Sequence, residues 1–304
     1  MELMLHIGAH KTGSTSIQDY CFLNQDHLLN EGIYYPIGFF RQFPRQHSEL
    51  MHLVAKNQMD VVSKFFEFAV ETAQANKAKT VFISGEDLSA LGPALTRRLQ
   101  SACSKLFNST TIILLLRNKK DYLYSSYKHN LLYGPPTGEI DFVRRQKFSP
   151  KDCVNAWSEI NNVTLKLFSY ESMKKDLLAR FFAEVFGIVV SDNIKSNRSL
   201  DYLTLQMMNS FLKGQDKGLE KIVINISNKY PFDFTLPIED VIAQNIDEQY
   251  SDEDWKVPGI EFETEILEKR AVARGKVSNP VALCEKMIEL FTALKSHLES
   301  ERNA

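Results

Sequence analysis

Cysteine is scarce in this 304-residue chain, and its four examples, Cys21, Cys103, Cys153 and Cys284, lie far apart. None belongs to a C-x-x-C pair or a Cys/His cluster, which excludes the common structural zinc and dithiol motifs. Three of the four stand among apolar residues and are expected to be buried, reduced thiols, in keeping with a reducing compartment. Excess charge is also missing. A formal net charge of −2 argues against a general nucleic-acid binder, which would carry a basic domain. No stretch approaches the ~20 consecutive apolar residues of a transmembrane helix. The first residues lack the basic start and long apolar run of a signal peptide, so a cytoplasmic protein is expected. There is no internal repeat and no low-complexity linker. What remains is ordinary globular material, 44% hydrophobic and 24% charged.

The apolar pattern alternates between strands and helices. Glu2–Ile7, Thr80–Ile83, Thr110–Leu116 and Val163–Phe168 read as strands. The unbroken β-branched and leucine run at 110–116 suits a central parallel strand covered on both faces. Ser14–Asn30, His47–Asn76, Asp121–Tyr133 and Ser172–Gly187 read as helices. Pro-containing loops are expected after Gly32 and from Gly134 to Gly138. Beyond Asn197 the chain reads as mostly helical, with a loop-rich acidic stretch over 238–268 and a terminal helix near 280–298. Alternating strands and helices imply an α/β fold: a three-layer parallel sheet of P-loop type with right-handed crossovers and a helical C-terminal elaboration. One domain over 1–304 is expected, its nucleotide-binding core in 1–200.

Between the first strand and helix lies Gly8-Ala9-His10-Lys11-Thr12-Gly13-Ser14-Thr15. A glycine-bounded turn leading into a helix leaves backbone N–H groups unpaired at its positive end, which makes an anion site. Gly8 and Gly13 keep the glycine spacing of the G-x-x-x-x-G-K-[ST] loop. The residue after Gly13 is nevertheless Ser14, and the lysine is Lys11, two positions before it. Triphosphatases need the later lysine at the β- and γ-phosphates and a hydroxyl on magnesium.

The segment His6–Gln18 resembles the 5′-phosphosulfate loop of the sulfotransferase superfamily, closest to its bacterial and carbohydrate-type branch. His10 departs from it, standing where the family usually has proline. The resemblance implies 3′-phosphoadenosine 5′-phosphosulfate (PAPS) as donor, adenosine 3′,5′-bisphosphate (PAP) as product, and no required metal. By the same resemblance Lys11 would touch the 5′-phosphate and the bridging oxygen. Thr12, Gly13, Ser14, Thr15 and Ser16 would hold the 5′-phosphate through N–H and hydroxyl donors.

Arg117 ends the third strand, at the sheet edge where open α/β folds bind ligands, and Ser125 follows eight residues later in a helix. An arginine fork and a hydroxyl suit a terminal phosphate. This Arg-x7-Ser arrangement, with Tyr127 just after, resembles the family's 3′-phosphate site. Lys166–Met173 is similar to the family's strand and Tyr-Glu turn, which would put Tyr170 near the adenine; packing against the sheet is the alternative. Ser196-Asn197-Arg198-Ser199-Leu200 resembles an Asn-x-Ser-Leu element of the bacterial branch, where Asn197 and Arg198 would contact the 3′-phosphate or nearby backbone.

Sulfuryl transfer needs a base for the acceptor's proton close to Lys11. Glu86, in Ser84-Gly85-Glu86-Asp87, resembles the Ser-x-Glu element that supplies it in several carbohydrate sulfotransferases. Burial would raise its pKa toward a useful value. A helix-capping acid is the alternative role. Asp87, His47 and His52 are rivals, and His6 reads as a core histidine. The basic segments 41–47 and 144–147, interleaved with aromatics, would suit a saccharide or anionic acceptor, or else form a solvated charged face. The leading expectation is thus a sulfotransferase acting on a hydroxyl or amine of a saccharide or glycolipid. An ATP-dependent P-loop phosphotransferase and a non-catalytic nucleotide-binding relative are the alternatives. The acceptor itself is not written in the sequence.

Overall fold

Five strands form one sheet in the order β2-β3-β1-β4-β5, and every neighbouring pair is parallel. The computed structural model describes residues 1–40, 44–133, 148–190, 252–260 and 292. The strands are β1 (Glu2–His6), β2 (Ile33–Tyr34), β3 (Thr80–Ser84), β4 (Ser109–Leu116) and β5 (Val163–Ser169). Parallel strands need covered crossovers, and the helices supply them. They are α1 (Ser14–Leu23), α2 (Gln25–Asn30), α3 (Glu49–Ala55), α4 (Met59–Ala75), α5 (Pro93–Cys103), α6 (Lys119–Tyr133), α7 (Pro150–Ser158), α8 (Tyr170–Met173) and α9 (Leu177–Phe186). The α/β expectation holds, with a parallel sheet flanked by helices.

The differences are local. The long helix expected over 14–30 breaks at Asn24, whose side-chain amide donates to Tyr20 O at 2.9 Å. This local bond competes with continuing the helix. The helix expected over 47–76 breaks at Asn57, in the left-handed region at φ 58°. The helix expected over 172–187 begins as α8, passes through a 3₁₀ turn at Lys174–Asp176, and resumes as α9. Strand β2 was expected as loop, and α5 and α7 were not anticipated at all. The stretches 191–251 and 261–291, with the expected terminal helix, lie outside the described residues.

The strand order contains a switch. The chain runs outward from β1 to the β3 and β2 side, then crosses back to build β4 and β5 on the other side. Ligands of open α/β sheets sit at such a point, outside the carboxyl ends of the strands. Beneath it, α9 carries Leu177, Leu178, Phe181, Phe182 and Val185 into one buried cluster with Ile17, Tyr20 and Cys21 of α1 and Phe82, Ile113 and Leu115 of the sheet. The helix that follows the Gly8–Gly13 turn is therefore fixed from below by aromatic packing. Truncating a fully buried ring such as Phe181 would cost about 3–5 kcal/mol. Cys21, Cys103 and Cys153 are buried free thiols, as expected, and burial pushes all three thiol pKa values up.

The chain divides into two compact units. The first, Met1–Tyr122 with Lys147–Lys195 and Ser251–Phe262, holds the whole sheet. The second comprises Leu123–Gln146, Ser196–Tyr250 and Glu263–Ala304.

Candidate active site

All strands point the same way, so the segments after β1, β3, β4 and β5 emerge along one edge of the sheet. They carry, respectively, the Gly8–Gly13 loop, Glu86–Asp87, Arg117 and Tyr170. The loop remains hydrogen-bonded to β4 as it leaves the sheet, through Ile7 N to Ile113 O at 3.0 Å and Ala9 N to Leu115 O at 3.3 Å. Thr12 Oγ1 donates to Ala9 O at 2.6 Å and closes the turn. Lys11 at φ 67° and Gly13 at φ 82° both occupy the left-handed region. A non-glycine residue rarely sits there, and such strain concentrates at functional turns. Gly13 is the N-cap of α1, and no side chain caps that helix. Its first N–H groups are left for a ligand or solvent.

Two buried polar atoms under the loop also have no partner, Ser14 Oγ and His6 Nε2. A Cβ on Gly8 would lie 2.7 Å from His6 Nε2 and 3.0 Å from Ser14 Oγ, so only glycine fits there. His6 Nδ1 lies 2.8 Å from Ser84 Oγ, which also accepts from Gln18 Nε2 at 3.2 Å. This buried bridge ties the end of β3 to α1. Burial lowers the His6 pKa to about 4, so the ring is neutral, as expected of a core histidine.

Arg117 Nη1 donates to Lys11 O at 3.0 Å, and its guanidinium lies over the Tyr170 ring at 5.1 Å from the centroid. Arg117 Nε is buried without a partner. The arginine thus braces the loop from behind while keeping donors in hand, and Tyr170 serves first as its platform. The sequence reading missed what fixes this arginine. Glu171, buried, accepts from Asn118 N at 3.0 Å and from Ser169 Oγ at 3.0 Å. Asn118 Oδ1 accepts from Lys120 N and Asp121 N, capping α6. Burial holds the Lys11 pKa below the ordinary lysine value, and Arg117 pushes the same way while Glu86 opposes.

Glu86 and Asp87 open a 3₁₀ turn directly after β3, Glu86–Ala90. His10 bridges them: Nδ1 is 3.4 Å from Glu86 Oε1 and Nε2 is 3.1 Å from Asp87 Oδ1. Here the structure corrects an expectation. Burial does act to raise the Glu86 pKa, but the pairing with His10 outweighs it and the net shift is downward. Asp87 is lowered by the same pairing, and the Asp87 and Glu86 carboxylates together raise the His10 pKa to about 9.

The rival histidines separate clearly. His47 is 2% exposed, with Nε2 2.7 Å from Pro36 O and Nδ1 accepting from Ser84 N at 3.2 Å. It packs against the rings of Tyr35 and Phe65, and burial lowers its pKa to about 4. A ring so enclosed cannot receive an acceptor's proton. His47 links Pro36 to the end of β3. His52 is exposed on α3. Arg45, expected on an acceptor surface, pairs instead with Asp19 at 3.0 Å and lies over Phe22 of α1.

Thr12 and Ser14 are buried, Ser16 half-buried and Thr15 exposed. Ser125 is half-buried and Tyr127 buried on α6, in the second unit. Asn197 and Arg198, and the basic segment 144–147, lie outside the described residues. No group of His, Cys, Asp or Glu suited to a metal ion occurs among the described residues, and none of their helices is long and apolar enough to cross a membrane.

No family model matches this chain, and no curated protein does. Several solved structures align with it. A sulfotransferase from Alicyclobacillus acidocaldarius is 14% identical, with 83% of this chain and 98% of that one covered and a TM-score of 0.42. The sulfotransferase domain from the curacin biosynthetic pathway is 13% identical, with coverages of 81% and 96% and a TM-score of 0.38. Retinol dehydratase in complex with androsterone and the inactive cofactor PAP is 15% identical, with coverages of 85% and 83% and a TM-score of 0.33.

Proposed function

We propose that this chain is a sulfotransferase that moves a sulfuryl group from PAPS to a hydroxyl or amine, its acceptor a saccharide or glycolipid. The observation that carries the reading is the loop itself. An uncapped helix start, a strained lysine placed before Gly13, and an arginine bound to that lysine's carbonyl gather on one sheet edge. Unpartnered Ser14 Oγ and Arg117 Nε are donors of the kind that phosphate oxygens satisfy. The residues present therefore fit a phosphorylated donor.

In this reading the N–H groups of Thr12, Gly13, Ser14 and Thr15 and the hydroxyls of Ser14, Thr15 and Ser16 hold the 5′-phosphate, while Thr12 Oγ1 and Ser16 N–H, which donate to Ala9 O and Gly13 O, shape the turn. Lys11 stabilises the negative charge that grows on the bridging oxygen as the bond to sulfur breaks. Glu86 receives the acceptor's proton. Its lowered pKa means that it is ionised, and so ready to accept, at neutral pH. Arg117 with Ser125, and Asn197 with Arg198, take the 3′-phosphate, and Tyr170 flanks the adenine. PAPS leaves as PAP, with no metal in the scheme.

Calorimetry of the full chain with PAP and with ADP, each with and without magnesium, tests the reading. PAP is expected to bind in preference to ADP whether or not magnesium is present. Arg117→Ala should weaken it about 30-fold or more, since losing a charged hydrogen-bonding partner costs ~2–5 kcal/mol. A preference for magnesium-ADP would favour the phosphotransferase alternative and overturn the proposal.

A further inference from the structure

The two ring nitrogens of His10 each face a carboxylate oxygen, at 3.4 Å on the Glu86 side and 3.1 Å on the Asp87 side. An ionised carboxylate only accepts hydrogen bonds, so a ring held between two of them is used fully when both nitrogens carry protons. His10 is then an imidazolium beside Lys11. The pair it bridges is not symmetrical. Glu86 interacts electrostatically with Lys11 and with buried His6, whereas Asp87 is turned toward Ser48 and His52. Among the described residues Arg117 adds a further charge, acting on Lys11 from behind the loop.

Two carboxylates beside a phosphate-binding loop are a liability, because they repel the anion the loop is built to hold. Glu86 and Asp87 would together cancel the charges of Lys11 and Arg117. The His10 charge leaves the cluster net positive. Resting on the sulfotransferase reading above, we propose that His10 is a positioning residue for the transfer: anchored by Asp87, its ring orients Glu86 toward Lys11 and offsets the carboxylate pair against the anionic donor.

The reaction then balances without moving the ring's proton. The acceptor's O–H proton passes to a Glu86 carboxylate oxygen as the acceptor oxygen bonds to sulfur. The bond from sulfur to the bridging oxygen breaks, and its electron pair stays on the 5′-phosphate beside Lys11. His10 remains charged throughout. Proline, the residue the family usually places here, offers no such group. A chain with proline there has no ring charge to set against an adjacent carboxylate pair.

The test joins a spectroscopic and a binding readout on the full chain. In ¹⁵N-histidine NMR, with the His10 signal assigned by its loss in His10→Gln, the ring should stay charged to about pH 9. Asp87→Asn should lower that midpoint by a unit or more. By calorimetry His10→Gln should weaken PAP about fivefold to tenfold, the effect of removing one nearby positive charge in a partly screened site. The double variant His10→Gln/Glu86→Gln removes one charge of each sign and should return PAP affinity to within about twofold of the parent. A purely structural defect at His10 would not be rescued in this way. If the ring titrates near 6.5, or the double variant binds as weakly as the single one, the proposal is overturned while the functional reading stands. A parent chain that binds no PAP overturns the functional reading, and this proposal with it.

Discussion

Replacing Gly13 by alanine adds one methyl group at a point where both the backbone and its surroundings resist it. At φ 82° the residue lies in the left-handed region, which costs a residue with a Cβ about 1–2 kcal/mol. The added carbon would also lie 2.3 Å from Leu177 Cδ2. Leu177 opens α9 and is only 9% exposed, so its side chain must turn within the cluster that supports α1. Overpacking of this kind costs about 1–3 kcal/mol, so the variant should lose ~2–5 kcal/mol in all. Gly187→Ala provides the comparison, since Gly187 has φ 72° but nothing within 4 Å of its would-be Cβ. It should lose only the backbone part, about 1–2 kcal/mol. Urea unfolding followed by far-ultraviolet circular dichroism, with unchanged m-values, measures both. The difference between the two variants isolates the clash, and Leu177→Ala in the Gly13→Ala background should recover it as a favourable coupling. Equal losses for the two glycines would refute the argument, because they would show that Leu177 yields at no cost.

Acid should destabilise the protein before its carboxylates are all protonated. His6 and His47 have folded pKa values lowered from 6.5 to about 4, so the unfolded chain binds more protons between those limits. Their contribution is complete above pH 6.5 and fades as pH falls to 4, on the order of 3 kcal/mol per ring. Glu86 and Asp87, held below their ordinary values, add to the same acid-side loss. His10 has the opposite sign, its contribution present below pH 6.5 and lost as pH rises through about 9, and at 42% side-chain exposure it amounts to under about 1 kcal/mol. Unfolding free energy measured from pH 7 to 4 should therefore slope upward with pH, and His47→Gln should remove roughly half of the histidine part; a flat profile would contradict neutral buried rings. Glu171→Ala should cost about 1–3 kcal/mol by leaving Asn118 N–H and Ser169 Oγ without their partner. It should also weaken PAP, because it frees the segment that carries Arg117; unaltered affinity would show that Arg117 is placed without Glu171.

The parts of the fold legible in the sequence are those with strong local signals. The apolar run of β4 and the glycine-bounded turn after β1 announce themselves within a dozen residues. Helix ends were less legible, since Asn24 and Asn57 break helices through one side-chain bond and one left-handed residue, which the apolar period does not register. Helix α7 does carry a local signal: Ser149 accepts from Asp152 N as its N-cap, and Pro150 follows at the first helical position. The site divides the same way. Lys11, Glu86 and Arg117 stand at strand ends and could be picked out singly. The link between His10 and Asp87 arises only because β3 lies beside β1 in the sheet, a neighbourhood that no spacing along the chain encodes. Likewise Glu171 looked like part of a Tyr-Glu turn, and its hold on Asn118 depends on β5 pairing with β4.

The central place of β1 has a consequence for how the chain comes into being. Leu3 pairs with Val81 on one side and with Thr110 on the other. β1 precedes both of these partners in the chain and therefore waits for them during synthesis. At ~5–20 residues per second the second arrives some 5–20 s after β1 emerges. Until then the Gly8–Gly13 turn has no β4 carbonyl to receive Ala9 N and no guanidinium behind Lys11, although Glu86 and Asp87 already follow β3. The turn is made before the strand that frames it, so its form is a property of the sheet, and a nascent chain halted before residue 110 would not yet display it.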